Sequence, residues 1–102
     1  MTVADPRWVL PGPDGLVQLA TSHRLVVTVE DNIRTGCAGC ALAQAVVDTG
    51  SVVPVRVLGL PAAFIAHGTR HDLLASAGLD RDGIVHAVLQ ARAIRPVEIP
   101  TF

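Results

Sequence analysis

Lysine is missing from this chain of 102 residues: all eight of its basic residues are arginine. A catalytic lysine, a Schiff base and the lysine of a phosphate loop are therefore excluded together. Charge of one sign is also lacking. The formal net charge is -1 and only 17% of residues are charged, which gives neither the basic footprint of a nucleic-acid binder nor an acidic tail. No apolar run approaches the roughly 18 residues of a membrane span. The opening "MTVADPRWVL" lacks the charged stretch and apolar core of an export signal. These absences lead to the expectation of a cytoplasmic protein, bound to neither membrane nor nucleic acid. Cysteine is scarce, with two residues, and in a reducing compartment both should be free thiols rather than a structural disulfide.

What is present is one domain's worth of chain, half of it apolar. Short β-branched runs alternate with amphipathic ones, the pattern of an α/β domain with a mainly parallel sheet. Thr2 to Leu10 reads as a strand closed by "PGPDG", and Asp14 to Ser22 as a short helix carrying Leu16, Leu19 and Ala20, with His23 and Arg24 near its end. Leu25 to Val29 is nearly continuous in β-formers, as in a strand covered on both faces, and its carboxyl end is Glu30-Asp31-Asn32. After Gly39, Leu42, Ala45, Val46 and Thr49 line one helical stripe that Gly50 stops. Val52 to Leu60 reads as a second buried strand with Pro54 at its start. Thr69 caps a helix that Gly78 ends, and Asp80 caps another that runs to about Ala93 with Leu79 as its staple. The expected organisation is one domain over residues 1–95 and an extended tail over 96–102.

Two constellations could carry chemistry. Cys37-Ala-Gly-Cys40 stands where a helix begins, and a helix N-terminus lowers a thiol's pKa, so a thiol redox protein using Cys37 and Cys40 is one reading. Against it, the intervening residues are small and no aromatic precedes Cys37; small residues at a helix entry are the plainer explanation of the pair. Cys37, Cys40, His67 and His71 nominally supply four zinc ligands. A whole helix and strand separate the pairs, however, and His67 and His71 need not share a helical face. The turn between Glu30 and Cys40 is placed as an anion site would be, yet with Gly36 and Gly39 alone it matches neither the dinucleotide fingerprint nor the phosphate loop. Ser51 and Ser76 lack a nucleophile-elbow context, His23 and His86 read as solvated helix positions, and Arg34 and Arg70 as surface charge. No catalytic set, cofactor site or metal site emerges from the residues.

The segments "DPRWVLP", "LVVTVEDN" before a glycine turn, "VRVLGLPAAFIAHGTR" and "LLASAGLDRDGIV" together resemble the C-terminal domain of the 1-deoxy-D-xylulose-5-phosphate synthases, from about Val3 to Ala93. These are transketolase-like enzymes dependent on thiamine diphosphate and magnesium. The resemblance implies a three-layer α/β/α sandwich with a mainly parallel sheet, incomplete here because early strand and helix units of the family domain have no counterpart, one of them a central strand. It also implies a noncatalytic scaffold or subunit interface, since in that family the cofactor and catalytic residues belong to preceding domains and this chain has no Gly-Asp-Gly motif. The implied partners are protein: the thiamine-binding domains of a larger enzyme, a second subunit, or another copy of the chain. In the family the turn usually reads Gly-Gly-x-Gly-Ser, so Cys37 and Cys40 replace the second Gly and the Ser. Cys37 then needs a backbone angle open to a side chain, or a shifted turn.

Overall fold

The computed structural model describes residues 1–7 and 14–93. Six elements follow in order: α1 (Asp14–Thr21), β1 (Val26–Ile33), α2 (Ala38–Asp48), β2 (Val55–Leu60), α3 (Arg70–Ser76) and α4 (Arg81–Ala93). β1 and β2 pair in parallel, with Val26 opposite Val55 and Val29 opposite Leu58, and α2 is the crossover between them. The chain is thus an α/β unit built on a parallel strand pair, the class that the alternating pattern predicts. Among the described residues the sheet has two strands.

Local chemistry explains most boundaries. Gly36, Gly50 and Gly78 hold φ of 73°, 79° and 73°, left-handed angles that favour glycine, and the last two sit just past α2 and α3. Behind α3 the Leu79 amide donates to the Leu74 carbonyl at 2.9 Å, closing the helix in a Schellman-type turn. Thr69 Oγ1 accepts from the Asp72 amide at 3.2 Å, and Asp80 Oδ1 from the Gly83 amide at 2.9 Å, so both expected caps form. Pro54 lies immediately before β2 and still contributes its carbonyl, which accepts from the Val26 amide at 3.0 Å.

Three expectations are corrected. Thr2 to Arg7 is not a strand; the remainder of the expected strand, and the tail over 96–102, lie outside the described residues. Pro6 has no amide to donate, Asp5 Oδ1 accepts from the Arg7 amide at 3.0 Å, and Arg7 takes a positive φ of 59°, so local turn chemistry wins where no strand of the described residues lies alongside. The second strand begins at Val55 rather than Val52, because Ser51 Oγ engages the Val53 amide at 3.3 Å and leaves Val52 96% exposed. Finally, the strands are not covered on both faces: Val29 is 46% and Ile33 53% exposed. Among the described residues the buried apolar ones are Ala20, Val46 and Leu79, a thin core for so apolar a sequence.

α2 seats closely on the strand pair. A Cβ at Gly39, in its first turn, would collide with Thr28 Oγ1 and stand 3.0 Å from Val57 Cγ1, so glycine is what lets the helix approach both strands. Thr28 Oγ1 itself is buried without a hydrogen-bond partner.

Candidate functional site

The carboxyl end of β1, the turn after it and the start of α2 enclose an open hollow lined by Glu30, Asn32, Ile33, Gly36, Cys37 and Ala38. Its shape originates in an irregularity of the sheet. Between Val29 and Ile33, β1 advances two residues further than β2 does between Leu58 and Leu60, so Glu30, Asp31 and Asn32 form a bulge. The bulge closes where the Arg34 amide donates to the Leu60 carbonyl at 2.8 Å, and Gly59 passes beneath it so closely that a Cβ there would stand 2.8 Å from the Asn32 carbonyl oxygen.

The bulge lets Glu30 reach α2. Its carboxylate accepts from the Gly39 amide at 2.8 Å and the Ala38 amide at 3.3 Å, doing from eight residues upstream what an N-cap side chain usually does locally. Cys37 occupies the cap position and makes no side-chain cap bond. Burial pushes the Glu30 carboxyl up. The adjacent Cys37 thiol, the two amides and Asn32 outweigh that and hold it below its ordinary value. The anion position at the head of α2 is thus filled by the protein's own carboxylate. Phosphate or diphosphate does not fit: Glu30 holds the amides such a group would use, and the hollow is lined by a carboxylate without an arginine.

Both cysteines are free and half-buried at this turn. Cys37 has φ -85° and ψ -179°, angles any residue adopts, and the left-handed position falls on Gly36. Cys37 therefore stands without backbone strain, and the turn needs no glycine at that position. The sulfurs are 3.8 Å apart, and both thiols point at the Arg34 carbonyl, 3.1 Å from Cys37 Sγ and 2.9 Å from Cys40 Sγ. Their environments differ. Burial and the Glu30 carboxylate raise the Cys37 thiol, whereas the Cys37 backbone hydrogen bond lowers Cys40 against its own burial, helped by the Gly36 backbone, the Cys37 thiol and the charge of Arg34.

The other candidates are not gathered here. His67 and His71 are exposed, one in the loop after β2 and one in α3, and among the described residues no three His, Cys, Asp or Glu side chains converge as metal ligands. Arg70 pairs with Asp31 at 2.6 Å, tying α3 to the bulge across two largely exposed side chains, and Arg34 Nε reaches the Val57 carbonyl at 3.4 Å. His86 is exposed on α4 as expected. His23 is not a solvated helix position: it follows α1, with Nδ1 2.7 Å from the Leu19 carbonyl and Nε2 3.1 Å from Thr2 Oγ1, which fastens the first residues to the end of that helix. Sequence reasoning missed Glu30. The available signal was a helix start without a Ser, Thr, Asp or Asn cap, preceded by a carboxylate at a strand end.

A parallel strand pair joined by a helix, with a turn at the first strand's carboxyl end, defines an α/β module. The sequence matches the description "Transketolase, C-terminal domain" over residues 1–84, and the chain belongs to that family. It is 48% identical over 96 residues to 1-deoxy-D-xylulose-5-phosphate synthase 1 of Kitasatospora griseola, an alignment covering 93% of this chain and 15% of that protein. Against 1-deoxy-D-xylulose-5-phosphate synthase 2 of Streptomyces coelicolor the identity is 48% over 87 residues, covering 85% of this chain and 14% of that protein. The synthase of Renibacterium salmoninarum is 40% identical over 88 residues, covering 86% and 13%. The chain thus spans about 15% of the length of the curated relatives it matches.

Proposed function

We propose that this chain is a noncatalytic scaffold and interface segment of a 1-deoxy-D-xylulose-5-phosphate synthase, a thiamine-diphosphate-dependent transferase that makes an isoprenoid precursor in the cytoplasm. Thiamine diphosphate and its magnesium are held by other polypeptide of the same enzyme. The observation that carries the reading is the open state of β1: in a member of this family, Val29 and Ile33 lie 46% and 53% exposed on a strand of β-branched residues. Val85 and Leu89, one turn apart on α4, are 50% and 58% exposed, and Phe64 after β2 is fully exposed. Apolar surface of this extent, on a sheet whose outer edges no strand of the described residues pairs, calls for a covering partner. The partner proposed is the remainder of the synthase, whose own strand and helix units would extend the sheet. The second reading of the sequence, a stand-alone thiol redox protein, gains nothing from the three relatives described above, each named as a synthase.

The test is complementation. A relative shortened by the segment that aligns with this chain is assayed for 1-deoxy-D-xylulose 5-phosphate made from pyruvate and glyceraldehyde 3-phosphate, with and without this chain. Restored synthesis in the mixture and none from the chain alone is the expected result. Synthesis by the chain alone, or no complex and no gain on mixing, overturns the proposal.

A further inference from the structure

Neither the scaffold reading nor the relatives' names assign anything to the two thiols at the head of α2. Three features set them apart from incidental cysteines. Their sulfurs are 3.8 Å apart, near van der Waals contact. Both converge on one acceptor, the Arg34 carbonyl, so the turn aims them at each other. Both are half-buried rather than sealed, Cys37 lining the open hollow and Cys40 three residues further on, so a small molecule can reach the pair without unfolding. They are also the two cysteines of this sequence.

We infer that Cys37 and Cys40 form a modification site that reacts with small aliphatic disulfides, Cys40 as the attacking sulfur and Cys37 as the resolving one. The chemistry is a two-step exchange. The Cys40 thiolate attacks one sulfur of R–S–S–R, forming a mixed disulfide and expelling RS⁻, which takes up a proton. Cys37 then gives up its proton, its sulfur attacks Cys40 Sγ, and the second R–SH leaves. Two protein thiols are oxidised to one disulfide, and one small disulfide is reduced to two thiols. The sulfurs need to close from 3.8 Å to a bond of about 2.0 Å, across a Cys-x-x-Cys spacing that accommodates such a ring.

The surroundings decide the order of attack. The backbone hydrogen bond of Cys37 and the Arg34 charge favour the thiolate of Cys40, while burial and the Glu30 carboxylate keep Cys37 protonated until the mixed disulfide has formed. This order is the reverse of the one a helix dipole alone would favour, since Cys37 occupies the cap and Cys40 lies further into the first turn. The consequence is local: the bond would take both thiol donors off the Arg34 carbonyl and cross-link the turn next to the Glu30 cap.

The experiment equilibrates the reduced chain in buffers of oxidised and reduced glutathione, quenches with acid, and counts free thiols by alkylation and mass spectrometry. The expected product of the wild-type chain is a monomer lighter by two hydrogens. Cys37→Ser should accumulate a glutathione adduct on Cys40, and Cys40→Ser should form its adduct more slowly. Repeating the wild-type reaction in concentrated urea controls for folding, and ring formation should slow there. The inference is overturned if the folded chain stops at glutathione adducts, gives only cross-linked dimers, reacts faster at Cys37 than at Cys40, or closes the ring as fast when unfolded.

Discussion

Gly39→Ala is the substitution that tests the seating of α2 most sharply. An added methyl would collide with Thr28 Oγ1, stand 3.0 Å from Val57 Cγ1 and 3.1 Å from Thr28 Cβ, so it presses on both strands at once. Val57 is in β2, and Thr28 Oγ1 is already buried without a partner, so neither neighbour can rotate away freely. Overpacking of this kind costs about 1–3 kcal/mol, and alanine's better helix propensity returns at most about 1 kcal/mol, less in a first turn. The net expectation is a loss of about 1–2 kcal/mol, a fall of roughly 0.5–2 M in the urea midpoint of a domain whose urea slope is about 1–2 kcal/mol/M. Far-UV circular dichroism in urea follows it. Thr28→Ala removes the atom that collides and with it the orphaned hydroxyl, so in the double variant the Gly39→Ala cost should shrink by at least about 0.5 kcal/mol. Strictly additive effects, or a neutral Gly39→Ala, would show that α2 does not rest on Thr28 and Val57.

Two further substitutions test the ends of helices. The Glu30 carboxyl is held below its ordinary 4.5, so as pH falls the unfolded chain takes the proton first; the charged cap's stabilisation is complete above that value and is lost as pH drops through the lower folded pKa. Glu30→Gln should therefore weaken the fold by about 1 kcal/mol at neutral pH and flatten its acid sensitivity, read from urea midpoints between pH 3 and 7; an unchanged pH profile would remove Glu30 from the cap. Asp80→Ala deletes the acceptor of the Gly83 amide and should cost about 1 kcal/mol, seen as faster amide exchange in the first turn of α4, whereas exchange equal to the wild type would refute that cap.

The parts of the fold that were legible in the sequence are those specified by neighbours along the chain. Thr69 and Asp80 cap because the amide each one serves lies three residues on, and the angles of Gly50 and Gly78 follow from the helices they end. The α/β class followed from the alternation of runs. What failed depended on distant groups. Thr2 to Arg7 contains β-formers but has no strand of the described residues alongside, and Asp5 and Pro6 then turn the backbone. Leu25 to Val29 describes a strand built to be covered, which says what must pack on it and not whether the described residues supply that cover. At the candidate site the helix start and the cysteine pair were visible. The capping carboxylate was not, because Glu30 reaches Gly39 only through a two-residue bulge against β2. The convergence of both thiols on the Arg34 carbonyl is likewise a property of the turn in three dimensions.

Amide hydrogen exchange along Val26–Ile33 and Val55–Leu60, recorded for this chain alone and with the shortened synthase added, tests the central claim most directly. If these strands form an interface that other parts of the enzyme complete, their open-edge amides exchange rapidly in the isolated chain and become protected in the mixture. Full protection in a cooperatively unfolding monomer, unchanged when the synthase is added, would contradict it.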